Sequence, residues 1–218
     1  MIAEHLRSLM LILLVIPVSI NATTIVDTGE GTGLSATLSG DPVFGQYFAG
    51  QITLNSRTEL TDVEGWLSYG QDQDGNGFTV SIFEENGGFP DPSGQIYSGV
   101  ASVNVTDFST FFTADWQGVN NVSWLLDPGI YWITLEVRSG QSLEAGLPNN
   151  APNPLALYAH KNPTSPVWGR AGPGTVYEYG FRVSGNVVPI PASIYLFGSG
   201  ILLLFSRAFK HQSKFADD

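Results

Sequence analysis

The 218-residue chain contains no cysteine. That absence excludes disulfide staples, thiolate metal sites, iron–sulfur clusters and thiol nucleophiles. It also excludes a lipid anchor attached through a thioether. Positive charge is scarce. Nine Lys/Arg stand against twenty Asp/Glu, for a net charge of −11 and a pI near 4.5. Nucleic acid is excluded as a partner, because its phosphates would be repelled. Histidine is scarce as well: of three in the chain, only His160 lies between residues 23 and 186. One imidazole cannot build a His-rich metal centre. The motifs G-x-S-x-G, S-x-x-K and H-E-x-x-H are missing. No catalytic residue is assigned, and the chain reads as a non-enzyme. No stretch between the two termini keeps an amphipathic helical period. What remains is rich in turns and rings, with 25 Gly, 13 Pro and 12% aromatic residues. That composition is too apolar for disorder and points to an all-β chain.

The two ends read as addresses. Arg7 precedes an apolar run of twelve residues, Leu9 to Ile20, and Ala22 offers a small residue for cleavage. Residues 1–22 are therefore expected to be a signal peptide. At the other end, Val188-Pro189-Ile190-Pro191-Ala192 leads into a leucine-rich run, followed by Arg207, Lys210 and Lys214. Pro191 suits the first turn of a helix, where its missing N–H is not needed. From Val187 to Phe209 there are 23 residues, enough to cross a bilayer if Arg207 snorkels. Basic residues beyond the span place the tail in the cytoplasm and everything upstream outside. A single C-terminal transmembrane helix is expected.

The run VPIPASIYLFGSG, then leucines, then basic residues, resembles the PEP-CTERM sorting signal in its VPxPA variant. Ile190 stands where that motif's namesake Glu would be. The resemblance covers about residues 187 to 214, within a C-terminal segment set at 187–218. It implies recognition by an exosortase-type processing enzyme and membrane anchoring through the C-terminal helix before processing. It also implies delivery to the cell surface or outside it, in a bacterium that makes exopolysaccharide.

Residues 23–186 form the expected ectodomain, with five Lys/Arg against seventeen Asp/Glu and a net charge of −12. About ten strand signals alternate with turns, which predicts an antiparallel two-sheet sandwich, jelly-roll-like in type. Alternation along residues 131–138 sets Tyr131, Ile133, Leu135 and Val137 on one face. Trp132, Thr134, Glu136 and Arg138 fall on the other. Trp124 to Glu136, turning at Asp127-Pro128-Gly129, reads as one hairpin. Its strand-PG-x-Y-strand pattern is similar to the β-sandwich domains called choice-of-anchor, which implies a fold and a surface setting. The stretches 143–154 and 162–174 read as loops, and 185–187 as a linker.

Two site candidates follow. Asp72, Asp74 and Asn76 alternate with Gln and Gly in a pattern able to wrap Ca²⁺; the same residues also suit a polar turn, because Asp-Gly and Asn-Gly are common there. Trp66 and Trp132 lie on the polar phase of their strands, and Trp168 lies in a Pro/Gly loop beside Arg170. Exposed, these rings could stack on sugars in a lectin-like site; buried, they would pack the sandwich. The first expectation for function is an exported structural or adhesive protein of the surface or matrix, linked to exopolysaccharide. The second is a lectin-like module, and the third a polysaccharide-active hydrolase using two carboxylates.

Overall fold

The structure is a computed structural model that describes residues 22–33, 35–106, 112–171 and 177–189. The expected signal peptide up to residue 21 lies outside the described residues, as do the sorting motif from Ile190 onward, the C-terminal helix and its basic residues. Among the described residues, no helix is long and apolar enough to cross a membrane.

The strands are β1 (Thr23–Asp27), β2 (Ser35–Ser39), β3 (Tyr47–Leu54), β4 (Thr58–Gly70), β5 (Gly77–Asn86), β6 (Phe89–Ser102) and β7 (Phe112–Val119). They continue with β8 (Trp124–Leu126), β9 (Gly129–Glu136), β10 (Glu144–Pro148), β11 (Tyr158–Lys161), β12 (Gly169–Ala171) and β13 (Phe181–Val187). All strand pairings are antiparallel. The first sheet runs β1-β13-β4-β10-β2, and β7 and β8 line the opposite edge of β4. The second sheet runs β12-β11-β3-β9-β5-β6. The expected all-β fold with two antiparallel sheets is what the chain adopts.

Side-chain alternation explains how the sheets close on each other. On β4, Val63, Leu67 and Tyr69 are buried, while Glu64, Trp66 and Ser68 alternate with them and remain half-exposed. On β9, Ile133 and Leu135 are fully buried and join the same apolar cluster. Gly65 of the first sheet sits against Leu135 of the second: a Cβ added there would lie 2.6 Å from Leu135 Cδ1. The glycine therefore sets how closely the two sheets approach at this point.

Four local expectations are corrected. The predicted loops 143–154 and 162–174 each contain a strand, β10 and β12, short enough to escape a periodicity signal. Gly185 to Val187 is no linker: it continues β13, and Gly185, Asn186 and Val187 pair with Leu60, Glu59 and Thr58. Finally, Trp124 to Glu136 is not one hairpin. β8 pairs with β4 and β9 with β3 and β5, so Asp127-Pro128-Gly129 carries the chain from one sheet to the other. Tyr131 fastens that corner by donating its hydroxyl to the Asp127 carbonyl at 2.9 Å.

Leu135→Ala leaves a cavity at the contact between sheets and is expected to cost about 2–5 kcal/mol. The urea midpoint should fall with an unchanged slope; an unmoved midpoint would contradict this packing.

Candidate functional site

The outer face of the second sheet holds a dense polar network. Register builds it in rows. Thr79, Glu136, Tyr47 and Lys161 are successive cross-strand partners, or near partners, on β5, β9, β3 and β11. The next row is small: Ser98, Ser81, Thr134, Ala49, Ala159 and then Arg170 on β12. Trp132, paired with Phe83 and Gln51, heads the third.

Glu136 is the centre of this face. Its carboxylate is 5% exposed. Arg138 Nε donates to one oxygen at 2.9 Å, and Lys161 Nζ stands 4.0 Å from the other. Arg138 then extends across β5, donating to Ser81 Oγ at 3.0 Å and to Gln95 Oε1 on β6 at 2.7 Å. Gln141 locks the strand end: it accepts from the Arg138 backbone N–H at 2.8 Å and exchanges hydrogen bonds with Thr79. Lys161 lies 4.5 Å over the Trp168 ring. Burial holds the lysine below its ordinary pKa; Glu136 opposes that shift and Arg138 adds to it.

The polar face is covered. Trp132 and Thr134 are fully buried, and Trp132 Nε1, Thr134 Oγ1 and Glu136 Oε1 have no hydrogen-bond partner among the described residues. Two pieces of chain contribute to the cover. One is the segment ending in Trp168, itself 4% exposed. The other is the β5–β6 hairpin, whose pairing slips at Ile82, Phe83 and Glu85. Its tip reaches β12 at the far end of the sheet, where the Arg170 guanidinium sits 5.8 Å above the Phe89 ring.

These contacts correct two of the three tryptophan expectations. Trp132 does share a face with Thr134, Glu136 and Arg138, but that face is roofed, so the ring is unavailable for stacking. Trp168 belongs to the roof and is buried with it. Only Trp66 keeps partial exposure. It pairs across strands with Trp116, ring centroids 5.3 Å apart, and Arg182 covers Trp116 at 4.1 Å. Glu64 on the same face is pushed above the ordinary carboxylate pKa by burial, with Arg182 opposing.

Asp72, Asp74 and Asn76 lie in a turn around the 3-10 segment Gln71–Gln73, and Gly75 takes φ +76 there. Each side chain has an oxygen engaged as an acceptor. Asp72 Oδ2 receives Gln73 Nε2 at 3.1 Å, Asp74 Oδ1 the Val105 N–H at 3.1 Å, and Asn76 Oδ1 the Ser142 hydroxyl at 3.1 Å. Gln73 is buried, and its Oε1 accepts the Glu144 N–H at 2.8 Å. The turn thus splices residues 71–77 to 141–144. Among the described residues, no three His, Cys, Asp or Glu come together as a metal-binding group. Two open clefts flank the splice. One, of about 410 Å³, is lined by Asp41, Tyr47, Arg138 and Glu144, and the other, of about 570 Å³, by Asp72, Phe112 and Glu144.

Sequence reasoning missed Tyr47, Gln141 and Lys161. The alternation on β9 did set Glu136 and Arg138 together, and that was the available signal. No protein-family model matches the chain, and no curated protein matches it.

Removing Arg138 alone leaves a buried carboxylate facing only Lys161. Arg138→Met is expected to destabilise by about 1–3 kcal/mol, below the cost for a fully buried pair because Arg138 is partly solvated. The double variant Glu136→Gln/Arg138→Met should recover much of that loss in urea unfolding. Equal stability of the single variant and the parent would contradict a buried ion network here.

Proposed function

We propose that this chain is an exported surface or extracellular-matrix protein, sorted by an exosortase-type system, with a structural or adhesive role linked to exopolysaccharide. The observation that carries the reading is the ordered C-terminal series of Val188-Pro189-Ile190-Pro191-Ala192, apolar run and basic residues. Upstream of it stands an acidic, cysteine-free domain of two antiparallel sheets, a composition suited to a soluble ectodomain. The signal peptide delivers that domain across the inner membrane, and the C-terminal helix holds it there until processing. We assign the two-sheet sandwich to the jelly-roll-like class, because neighbours in both sheets are mostly distant in sequence. Ca²⁺ at Asp72, Asp74 and Asn76 is part of the proposal, with the two aspartates supplying carboxylate oxygens and Asn76 its amide oxygen.

A lectin-like module is the second reading. Trp66 beside Trp116 favours it, as the half-exposed aromatic pair on the outer face of the first sheet. A hydrolase has no assigned catalytic pair.

Replacing Pro189 and Pro191 by Ala in the native host tests the sorting reading. Export should continue while processing and release fall, so that the intact mass retains Lys214 in the membrane fraction. Unchanged mass and location would reduce the tail to a plain anchor.

A further inference from the structure

Among the described strands β6 is the longest, at 14 residues, and it closes one edge of the second sheet. Edge strands expose unpaired backbone groups, and folds blunt them with charge, proline, bulges or shortness. The other edges follow that rule. β8 and β12 have three residues each and β1 and β2 five, while β7 has eight with Asp115 among them. On β6 the blunting devices sit toward the hairpin end: Pro90, Asp91 and Pro92, then a bulge at Ile96, since Tyr97 faces Ile82 while Gln95 faces Phe83. From Tyr97 to Ser102 the pairing with β5 is regular. No Lys, Arg, Asp or Glu occurs from Pro92 to Thr106. Asp91, and Asp74 on the Val105 N–H, stand beyond the two ends of the regular stretch. Arg138 reaches Ser98 from the β5 side, with its charge met by Glu136.

Val103 exchanges backbone hydrogen bonds with Gly75 and Asn76, just before β5. Alternation then turns the N–H and C=O of Ala101, Gly99 and Tyr97 toward β5, and those of Ser102, Val100 and Ser98 away from it. No second strand pairs with β6 among the described residues. The side chains of Ser98, Val100 and Ser102 are exposed as well, Val100 at 70%. We propose that this edge is a dimer interface, in which β6 pairs antiparallel with β6 of a second copy of the chain about a two-fold axis at Val100. That register sets Val100 against Val100 and Ser98 against Ser102, each pair exchanging two backbone hydrogen bonds. It sets Gly99 against Ala101, small residues at the positions where paired strands come closest. The bulge at Ile96 bounds the regular ladder on one side and Val103 ends it on the other, so Val100 is its midpoint. The edge is thus self-complementary, and no like charges fall opposite each other across it. So short a ladder suits a weak, concentration-dependent dimer. The inference concerns assembly and does not rest on the sorting reading.

The test uses the full-length chain in detergent. The chain has no cysteine, so one introduced thiol reports one contact. Val100→Cys should form a disulfide-linked dimer under mild oxidation, because directly opposite residues lie within disulfide reach. Ser98→Cys and Ser102→Cys should each stay unlinked alone, with their own copies about 13 Å apart along the strand. Mixed together, those two chains should cross-link. Sedimentation of the parent should show a dimer that grows with concentration and, because the acidic domains repel each other, with added salt. Val100→Glu should abolish that dimer and leave the urea midpoint of the dilute chain unchanged, since the side chain is exposed. A parent that stays monomeric at every concentration would overturn the proposal. So would a Val100→Glu chain that keeps the parent's dimer, equal cross-linking of the three single-thiol chains, or a mixture that fails to cross-link.

Discussion

A carboxylate buried on the outside of a sheet is the constraint on which the second half of this fold depends. Glu136 is removed from water and cannot be left alone there, because an unpaired buried charge is costly. Arg138 and Lys161 meet it from two sides. Each of those cations then needs its own support. Arg138 takes it from Ser81 and Gln95, and Lys161 from the Trp168 ring. The network in this way ties β9 to β5, β6 and β11 and brings the Trp168 segment down on the sheet.

The same arrangement explains why β9 is covered on both sides. Its inner face packs on the other sheet through Ile133 and Leu135. Its outer face lies under the cover that the charges help to fasten. Trp132 Nε1 and Thr134 Oγ1 on that face have no hydrogen-bond partner among the described residues, and a buried polar group left so costs about 1–3 kcal/mol. A sequence optimised only for stability would place apolar residues there.

The sequence made the fold class readable through alternation and turn chemistry. β9 stands close to where the alternation along residues 131–138 puts it. Periodicity could not reveal β10 and β12, which are five and three residues long. It could not show that Asp127-Pro128-Gly129 changes sheets, because a turn of that chemistry also closes a hairpin. The candidate site was half legible. Alternation assigns Trp132 and Glu136 to a common face but carries no information on what lies above it. The roof is made by segments far away in sequence, so Trp132 and Trp168 looked available when they are not. Lys161 joins Glu136 only through the pairing of β11 with β3, which no local pattern encodes. The terminal addresses we propose are the reverse case, argued wholly from motif and composition.

The most direct test of this account is hydrogen exchange at the Trp132 indole N–H, followed by NMR in the full-length chain. The account places that group under a closed roof, with exchange limited by opening of the second sheet and far slower than at an exposed ring. Weakening the roof through Trp168→Ala should then accelerate it. Exchange in the unmodified chain as fast as at an exposed indole would show an open face, and the covered ion network described here would be wrong.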